Sequence, residues 1–180
     1  MAVKITNCYI ERFPRLRLIG KRYTQEDKVT EFFGEQWNEW HREGWFCLLY
    51  EANELTEEGN KGPLGLVVVD AQNRTDYVYW IGLLFPPNTP VPEGFSYLDL
   101  PKSRVGVVWV YGNDNTNELF GKPTIEMALE HLESKDIGTI STSVLGSDTI
   151  VFFERFNCPR FTNPDEKGNI ILDYGFFLEQ

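Results

Sequence analysis

The chain has 180 residues and a formal net charge of −10 at pH 7. This length is enough for one domain with a sizeable core. The negative charge repels the phosphate backbone of nucleic acids and favours cationic partners, although an acidic surface also serves solubility alone. We therefore expect a small cationic or aromatic ligand rather than a nucleic-acid partner.

The three cysteines, Cys8, Cys47 and Cys158, have no C-x-x-C spacing, and an odd number argues against a disulfide framework or a zinc site. The N-terminal segment MAVKITNCYIERFPR lacks the apolar stretch of a signal peptide. Nowhere do about 18 apolar residues follow one another, as a membrane-spanning helix requires. These features predict a cytoplasmic chain with no membrane segment.

The first half of the chain, residues 1–86, contains one clear helical pattern. Apolar residues at helical spacing predict a helix over residues 26–42, with Thr24 as its cap and Gly44 as its stop. Four further segments have the apolar character of strands: residues 14–23, residues 46–50, the segment GPLGLVVVD and residues 76–85.

A proline-rich segment, PPNTPVPEGF at residues 86–95, interrupts the strands because proline lacks the backbone donor. We place the boundary between the halves of a single domain there. The second half, residues 95–180, contains a strand at 103–111, a helix from Pro123, and strands at 149–156 and 169–178.

Each half is interpreted as strand, helix, strand, strand, with equivalent elements roughly 90 residues apart, which indicates a duplicated unit. The predicted fold class is α+β, with two pseudo-twofold-related βαββ halves and antiparallel sheets. Ligand sites favour the junction of such halves, so we expect a central ligand groove.

Glu154 is the residue that most needs an explanation. Strand alternation places it on one face with Ile150, Phe152 and Phe156. A carboxylate among apolar side chains is costly to desolvate unless it is paired, hydrogen-bonded or protonated. Glu154 is therefore either a satisfied strand-end glutamate, for example one paired with Arg104 or Arg160, or the counter-charge of a ligand.

Aromatic residues make up 14% of the chain, a proportion that suits ligand cages as well as cores. Tyr79 and Trp80 point to opposite faces of their strand, whereas Trp109 and Tyr111 share a face. Each ring alone is more often a core residue, but together near Glu154 they form what a cation cage requires. The candidate ligand-binding residues are Glu154, Tyr79, Trp80, Trp109, Tyr111, Trp37, Trp40, Phe152 and Tyr174.

Several kinds of chemistry have no support in the sequence. The two histidines, His41 and His131, are not part of an H-E-x-x-H motif, and G-x-S-x-G is absent. No glycine-rich phosphate-binding pattern follows a strand. We therefore expect no metal and no cofactor.

The chain resembles the GyrI-like family, which includes effector-binding domains of some AraC- and MerR-type transcription regulators. The likeness spans nearly the whole chain and depends on four segments: PRLRLIGKRY, YVYWIGLLFPPNTPVPEGF, LPKSRVGVVWVYG and VFFERFNCPRFTNPDEKGNIILDYGFFLE. It implies two βαββ repeats around a central groove.

In multidrug-sensing relatives a buried glutamate on the penultimate strand faces cationic ligands, and Glu154 in FFERF matches that position. Tyr79 and Trp80 lie in the segment that matches the aromatic strand of those pockets. The 180 residues contain no helix-turn-helix segment. The resemblance therefore implies a stand-alone sensor or sequestration protein for planar, cationic, drug-like molecules.

The resemblance also leaves two alternatives. Some stand-alone relatives resemble hydrolases that open cyclopropane rings in DNA-alkylating natural products. In that case Glu154 is catalytic, and Tyr79 or Tyr111 supplies a proton. A third hypothesis is a protein-interaction module that inhibits a large enzyme such as gyrase.

Overall fold

The computed structural model describes residues 3–180. Within that range the chain forms eight strands and three α-helices, as a mixed α+β fold. None of the helices in the described part is both long and apolar enough to span a bilayer. The strands are β1 (Lys4–Phe13), β2 (Leu16–Tyr23), β3 (Leu64–Asp70), β4 (Tyr77–Phe85), β5 (Ser96–Leu100), β6 (Ser103–Asn113), β7 (Thr149–Arg155) and β8 (Asn169–Leu178), and the helices are α1 (Gly34–Arg42), α2 (Trp45–Ala52) and α3 (Lys122–Ser134).

The eight strands form one antiparallel sheet in the order β1-β6-β8-β7-β3-β4-β2-β5. We expected more than one sheet, but the two halves meet at the pairing of β3 with β7 and share a single sheet. The order is symmetric about that pair, with β4 and β2 on one side and β8 and β6 on the other. This is the arrangement that two βαββ halves would give, and the duplication itself stays a prediction.

The segment WFCLLYEA forms α2, so the strand predicted at residues 46–50 is wrong. Phe46 and Leu49 are its buried residues, three positions apart as on one helix face. Short apolar runs fit a strand or a buried helix equally well by periodicity. Gly44 adopts a left-handed conformation with φ of 68° between α1 and α2, which confirms it as the stop of the first helix.

The helix predicted over residues 26–42 begins later, at Gly34. Thr24 precedes a short 3-10 turn at Gln25–Asp27 instead of α1. The Asp27 carboxylate accepts a hydrogen bond of 2.6 Å from the Thr24 backbone N–H and closes this turn. The strands β1 and β5, which were not predicted, lie at the two edges of the sheet, where mixed polar and apolar residues are tolerated.

The two faces of the sheet are covered differently. On the face called the helix side, α1, α2 and α3 contribute Trp40, Leu49 and Leu132 to an apolar cluster. The cluster on the other face consists of strand residues. There Phe13 of β1 stacks on Phe153 of β7 with ring centres 5.8 Å apart, although β6 and β8 lie between these strands. The sheet therefore curves toward this second face, called the concave side below.

Candidate functional site

Glu154 lies in β7 at the centre of the sheet, on the helix side. Its cross-strand neighbours are Gly65 of β3 and Tyr174 of β8. Glu154 is 9% exposed, and its Oε2 accepts a hydrogen bond of 3.0 Å from the Tyr79 hydroxyl. No ion-pair partner of Glu154 occurs among residues 3–180.

The two arginines considered as partners of Glu154 are engaged elsewhere. Arg160 forms an ion pair of 2.9 Å with Asp173. Arg104 donates to the backbone carbonyls of Ile137 and Glu179. The pairing of Glu154 with either arginine is therefore wrong, and the partner that satisfies this glutamate is the Tyr79 hydroxyl.

The surroundings of Glu154 raise its proton affinity. Burial raises the pKa of Glu154 to about 7, against the hydrogen bond from the Tyr79 hydroxyl, which favours the carboxylate. Burial, followed by the charge of Glu154, raises the pKa of both tyrosines well above the usual value. The tyrosines therefore stay protonated at neutral pH, where Glu154 changes its charge.

A chain of hydrogen bonds connects α1 to the carboxylate. Trp37 Nε1 donates to the Tyr79 hydroxyl at 3.0 Å, and that hydroxyl in turn donates to Glu154. The Tyr174 hydroxyl donates to the backbone oxygen of Leu119 at 2.6 Å, which fixes its ring beside Glu154. Side chains from α1, β4 and β8 thus converge on one carboxylate.

Gly65 makes the contact between Tyr79 and Glu154 possible. A Cβ atom added at Gly65 would lie 1.9 Å from the Tyr79 hydroxyl and 3.2 Å from Glu154 Oε2. Both distances are shorter than an ordinary van der Waals contact. The missing side chain lets the Tyr79 phenol cross β3 diagonally to reach β7.

The space above Tyr79 and Glu154 is filled by the protein's own aromatic rings. The ring of Phe33 stacks on that of Tyr79 with centres 4.4 Å apart and planes 1° from parallel. Trp37 packs on Phe156 at 4.4 Å. Phe33 is 6% exposed. The expected central groove is therefore closed over Glu154, because these side chains occupy it.

Five of the predicted ligand-binding residues come together on the helix side: Glu154, Tyr79, Trp37, Phe152 and Tyr174. Trp40 shares this side, but its Nε1 donates to the Tyr23 hydroxyl at 3.0 Å and its ring packs on Phe46 at 4.6 Å. Phe33 and Gly65 were not predicted. Phe33 belongs to the apolar stripe recognised in the sequence, whereas the sequence carries no signal for the role of Gly65.

Trp80, Trp109 and Tyr111 lie on the concave side, so their expected grouping with Glu154 is corrected. Trp109 is paired with Asp173, which is one residue away from Tyr174 and therefore faces the opposite side of β8. Tyr111 lies two positions after Trp109 in β6 and therefore faces the same side, where its hydroxyl donates to Asp165 at 2.5 Å. No group of three or more His, Cys, Asp or Glu residues in the described range is arranged to hold a metal ion.

No protein-family profile matches the chain, and no curated protein matches it by sequence. Solved structures match nearly all of it. A Staphylococcus aureus protein described as a bacterial transcription regulation protein has a TM-score of 0.64 at 15% identity, over 97% of this chain and 99% of that chain. SAV2435, solved with tetraphenylphosphonium bound, has a TM-score of 0.64 at 15% identity, over 97% of this chain and 94% of that chain.

EcmrR, in its complex with DNA, matches with a TM-score of 0.55 at 9% identity. The match covers 97% of this chain and 57% of the longer EcmrR chain. At such low identities the likeness concerns the fold. The predicted α+β fold is confirmed, and this chain shares that fold with the Staphylococcus aureus protein.

Proposed function

We propose that this protein binds small aromatic cations on the helix side of the sheet, with Glu154 as the counter-charge. One observation carries the proposal: a carboxylate that is 9% exposed has no cationic partner within residues 3–180. An ionised carboxylate in an apolar site is costly unless an opposite charge compensates it. An aromatic cation supplies that charge and packs against the surrounding rings.

The packing around Tyr79 supports a specific mode of entry. The chain's own Phe33 ring covers Tyr79, and the Lys28 ammonium lies 5.3 Å from the centre of the Phe33 ring and 4.9 Å from that of Tyr77. A flat ring from the segment 28–33 thus occupies the place that we assign to the ligand, and a cation from the same segment lies against that ring. That segment contains no strand and no helix, so it can move without breaking a hydrogen-bond ladder.

The structural neighbours support the choice of ligand class. SAV2435 was solved with tetraphenylphosphonium, an aromatic cation, and has the fold of this chain. Neighbours with a regulatory description support a role as a sensor, with sequestration as the alternative use of the same site. Both roles require the binding step that we propose.

The test is a calorimetric titration of the purified protein with tetraphenylphosphonium at pH 8. We expect saturable binding that Glu154→Gln weakens about tenfold or more, since the amide keeps the shape but loses the charge. Glu35→Gln, at an exposed position of α1, is the matched control and should bind like the parent. Equal affinity of the parent and Glu154→Gln would refute the role of Glu154.

Hydrolysis of cyclopropane-bearing compounds is a second candidate function, favoured by the pKa of about 7 for Glu154 and the phenol 3.0 Å away. In this reaction the oxygen of a water molecule bonds to a ring carbon and Glu154 takes up the water proton. The ring C–C bond breaks, and the released carbon is protonated by Tyr79 or solvent. Tyr111, considered above as the donor, lies on the concave side and has no part in this proposal.

Binding and hydrolysis can be separated with one variant. A neutral cyclopropane-bearing DNA-alkylating compound is incubated with the parent and with Glu154→Gln, and the products are analysed by chromatography. A hydrolase would convert the compound, and the variant would lose turnover while keeping affinity. If the parent protein binds the compound and the compound is recovered intact, the hydrolase hypothesis is excluded for this class of cyclopropane-bearing compounds.

A further inference from the structure

Five charged side chains form a cluster on the concave side of the sheet, opposite the Glu154 site. We call Glu11, Lys61, Arg155, Arg160 and Asp173 the ion cluster. Arg155 and Asp173 are fully buried and 2.9 Å apart, and Arg155 also bonds to Glu11 at 2.8 Å. Lys61 pairs with Glu11, and Arg160 pairs with Asp173 at 2.9 Å.

The ion cluster contains one cation more than it has carboxylates. Three basic side chains face two acidic ones, in a chain whose overall charge is −10. The excess positive charge lies on the partly exposed cations, where an anion from solution can reach it and balance it. The two members that reach solvent, one at each end of the cluster, are both basic: Lys61 is 34% exposed and Arg160 is 25% exposed.

Two hydrogen-bond donors beside the cluster have no acceptor. Arg160 Nε and Trp109 Nε1 are buried atoms without a hydrogen-bond partner among residues 3–180. The guanidinium carbon of Arg160 lies 4.0 Å from the centre of the Trp109 ring. Both donors therefore belong to one stacked pair. Nearly all buried N–H groups in proteins have an acceptor, so the two donors indicate where an acceptor binds.

We propose that Arg160 and Trp109 form a binding site for a small oxoanion, either inorganic phosphate or sulfate or the carboxylate of an organic molecule. The oxygen atoms of the anion accept from Arg160 Nε and Trp109 Nε1, and its charge balances the excess cation of the ion cluster. The site lies on the opposite side of the sheet from Glu154. It is independent of the proposed cation site and of that site's occupancy.

Nuclear magnetic resonance of the indole N–H groups tests this site directly. The five tryptophans give five indole resonances, and Trp109→Phe identifies that of Trp109. Phosphate is added in one series and acetate in another, with sodium chloride at matched ionic strength as the reference. We expect a saturable shift of the Trp109 resonance with phosphate, acetate or both. The Trp40 resonance should not move, because its N–H already donates to Tyr23.

Substitution of Arg160 supplies a second measurement. Arg160→Lys keeps the charge but removes the Nε donor, and we expect it to weaken anion affinity about tenfold or more. Arg22→Lys, at an exposed position of β2, is the matched control. Glu154→Gln should bind the anion like the parent, which distinguishes failure at one site from failure at the other.

Two results would overturn the proposal. One is a Trp109 resonance that does not move with either oxoanion, or moves no more than with chloride. The other is an Arg160→Lys variant that binds the anion as tightly as the parent. An unmoved resonance that exchanges magnetisation with water would assign the two donors to bound water instead.

Discussion

The Tyr79 hydroxyl lies 3.0 Å from Oε2 of Glu154, between that carboxylate and the indole N–H of Trp37. This position connects three separate elements, α1, β4 and β7. Because Tyr79 donates its one proton to Glu154 and accepts from Trp37, the phenol favours the ionised carboxylate, while burial opposes ionisation.

The charge of Glu154 should make the stability of the fold depend on pH. Its pKa is raised from 4.5 to about 7, so the folded protein binds more protons than the unfolded chain between these values. The contribution of Glu154 to the free energy of unfolding is fully present below pH 4.5 and is lost as the pH rises to about 7. Glu154→Gln should therefore be the more stable protein at pH 8, by up to about 3 kcal/mol.

Urea unfolding of the parent and Glu154→Gln at pH 8 and pH 4.5 measures this effect. The difference in unfolding free energy between the two proteins should be smaller at the lower pH. Glu35→Gln, at an exposed position, should show no such change. A difference that is the same at both pH values would contradict the raised pKa.

Tetraphenylphosphonium affinity should rise with pH and level off above about pH 7, because the ionised carboxylate attracts the cation. Calorimetric titrations between pH 5.5 and pH 8.5 follow the change. In Glu154→Gln the affinity should be weak and independent of pH over this range. An equally steep pH dependence in the variant would place the titrating group elsewhere.

Replacement of Phe33 by leucine should strengthen ligand binding, because it removes the ring that stacks on Tyr79 at 4.4 Å. An aromatic pair contributes roughly 0.5 to 1.5 kcal/mol, which corresponds to a gain in affinity between about twofold and about tenfold. Phe153→Leu is the matched control, since Phe153 is also a buried phenylalanine but lies on the concave side. If Phe33→Leu bound the ligand no more tightly than the parent, the proposal that the ligand replaces the Phe33 ring on Tyr79 would be contradicted.

A methyl group at Gly65 should disrupt the site, because it would lie 1.9 Å from the Tyr79 hydroxyl. Gly65→Ala displaces Tyr79 from Glu154, and we expect a loss of stability of about 1 to 3 kcal/mol and weaker tetraphenylphosphonium binding. Gly34→Ala is the control, since a Cβ there meets no atom within 4 Å. Thermal unfolding and calorimetry of both variants decide the outcome, and parental behaviour of Gly65→Ala would contradict the contact.

The isolated protein should have no measurable affinity for duplex DNA at physiological ionic strength. Its charge of −10 opposes the release of counter-ions that drives association with DNA. Fluorescence anisotropy of labelled duplexes checks this at several salt concentrations. DNA binding that weakens steeply with added salt would contradict this prediction and would indicate a local basic surface despite the negative net charge.

Local patterns in the sequence were sufficient for the positions of most strands and for the side of each strand on which a residue lies. Alternation along β7 placed Phe152 and Glu154 together, and alternation along β4 separated Tyr79 from Trp80, as observed. Side-chain direction within a strand has a period of two residues and needs no distant contact. An apolar run as short as Phe46–Tyr50 has no such definite period, and its helical form depends on packing.

Tertiary structure decided which faces meet. Trp109 and Tyr111 were assigned correctly to one face of β6, but only the pairing of β6 with β8 puts that face opposite Glu154. Likewise, the partner of Glu154 is Tyr79, 75 residues away, and their contact requires the absence of a side chain at Gly65. Strand register sets these relationships, and a shift of one residue would exchange the two faces of a strand. Register is a property of strands brought together from distant parts of the chain, so no local pattern contains it.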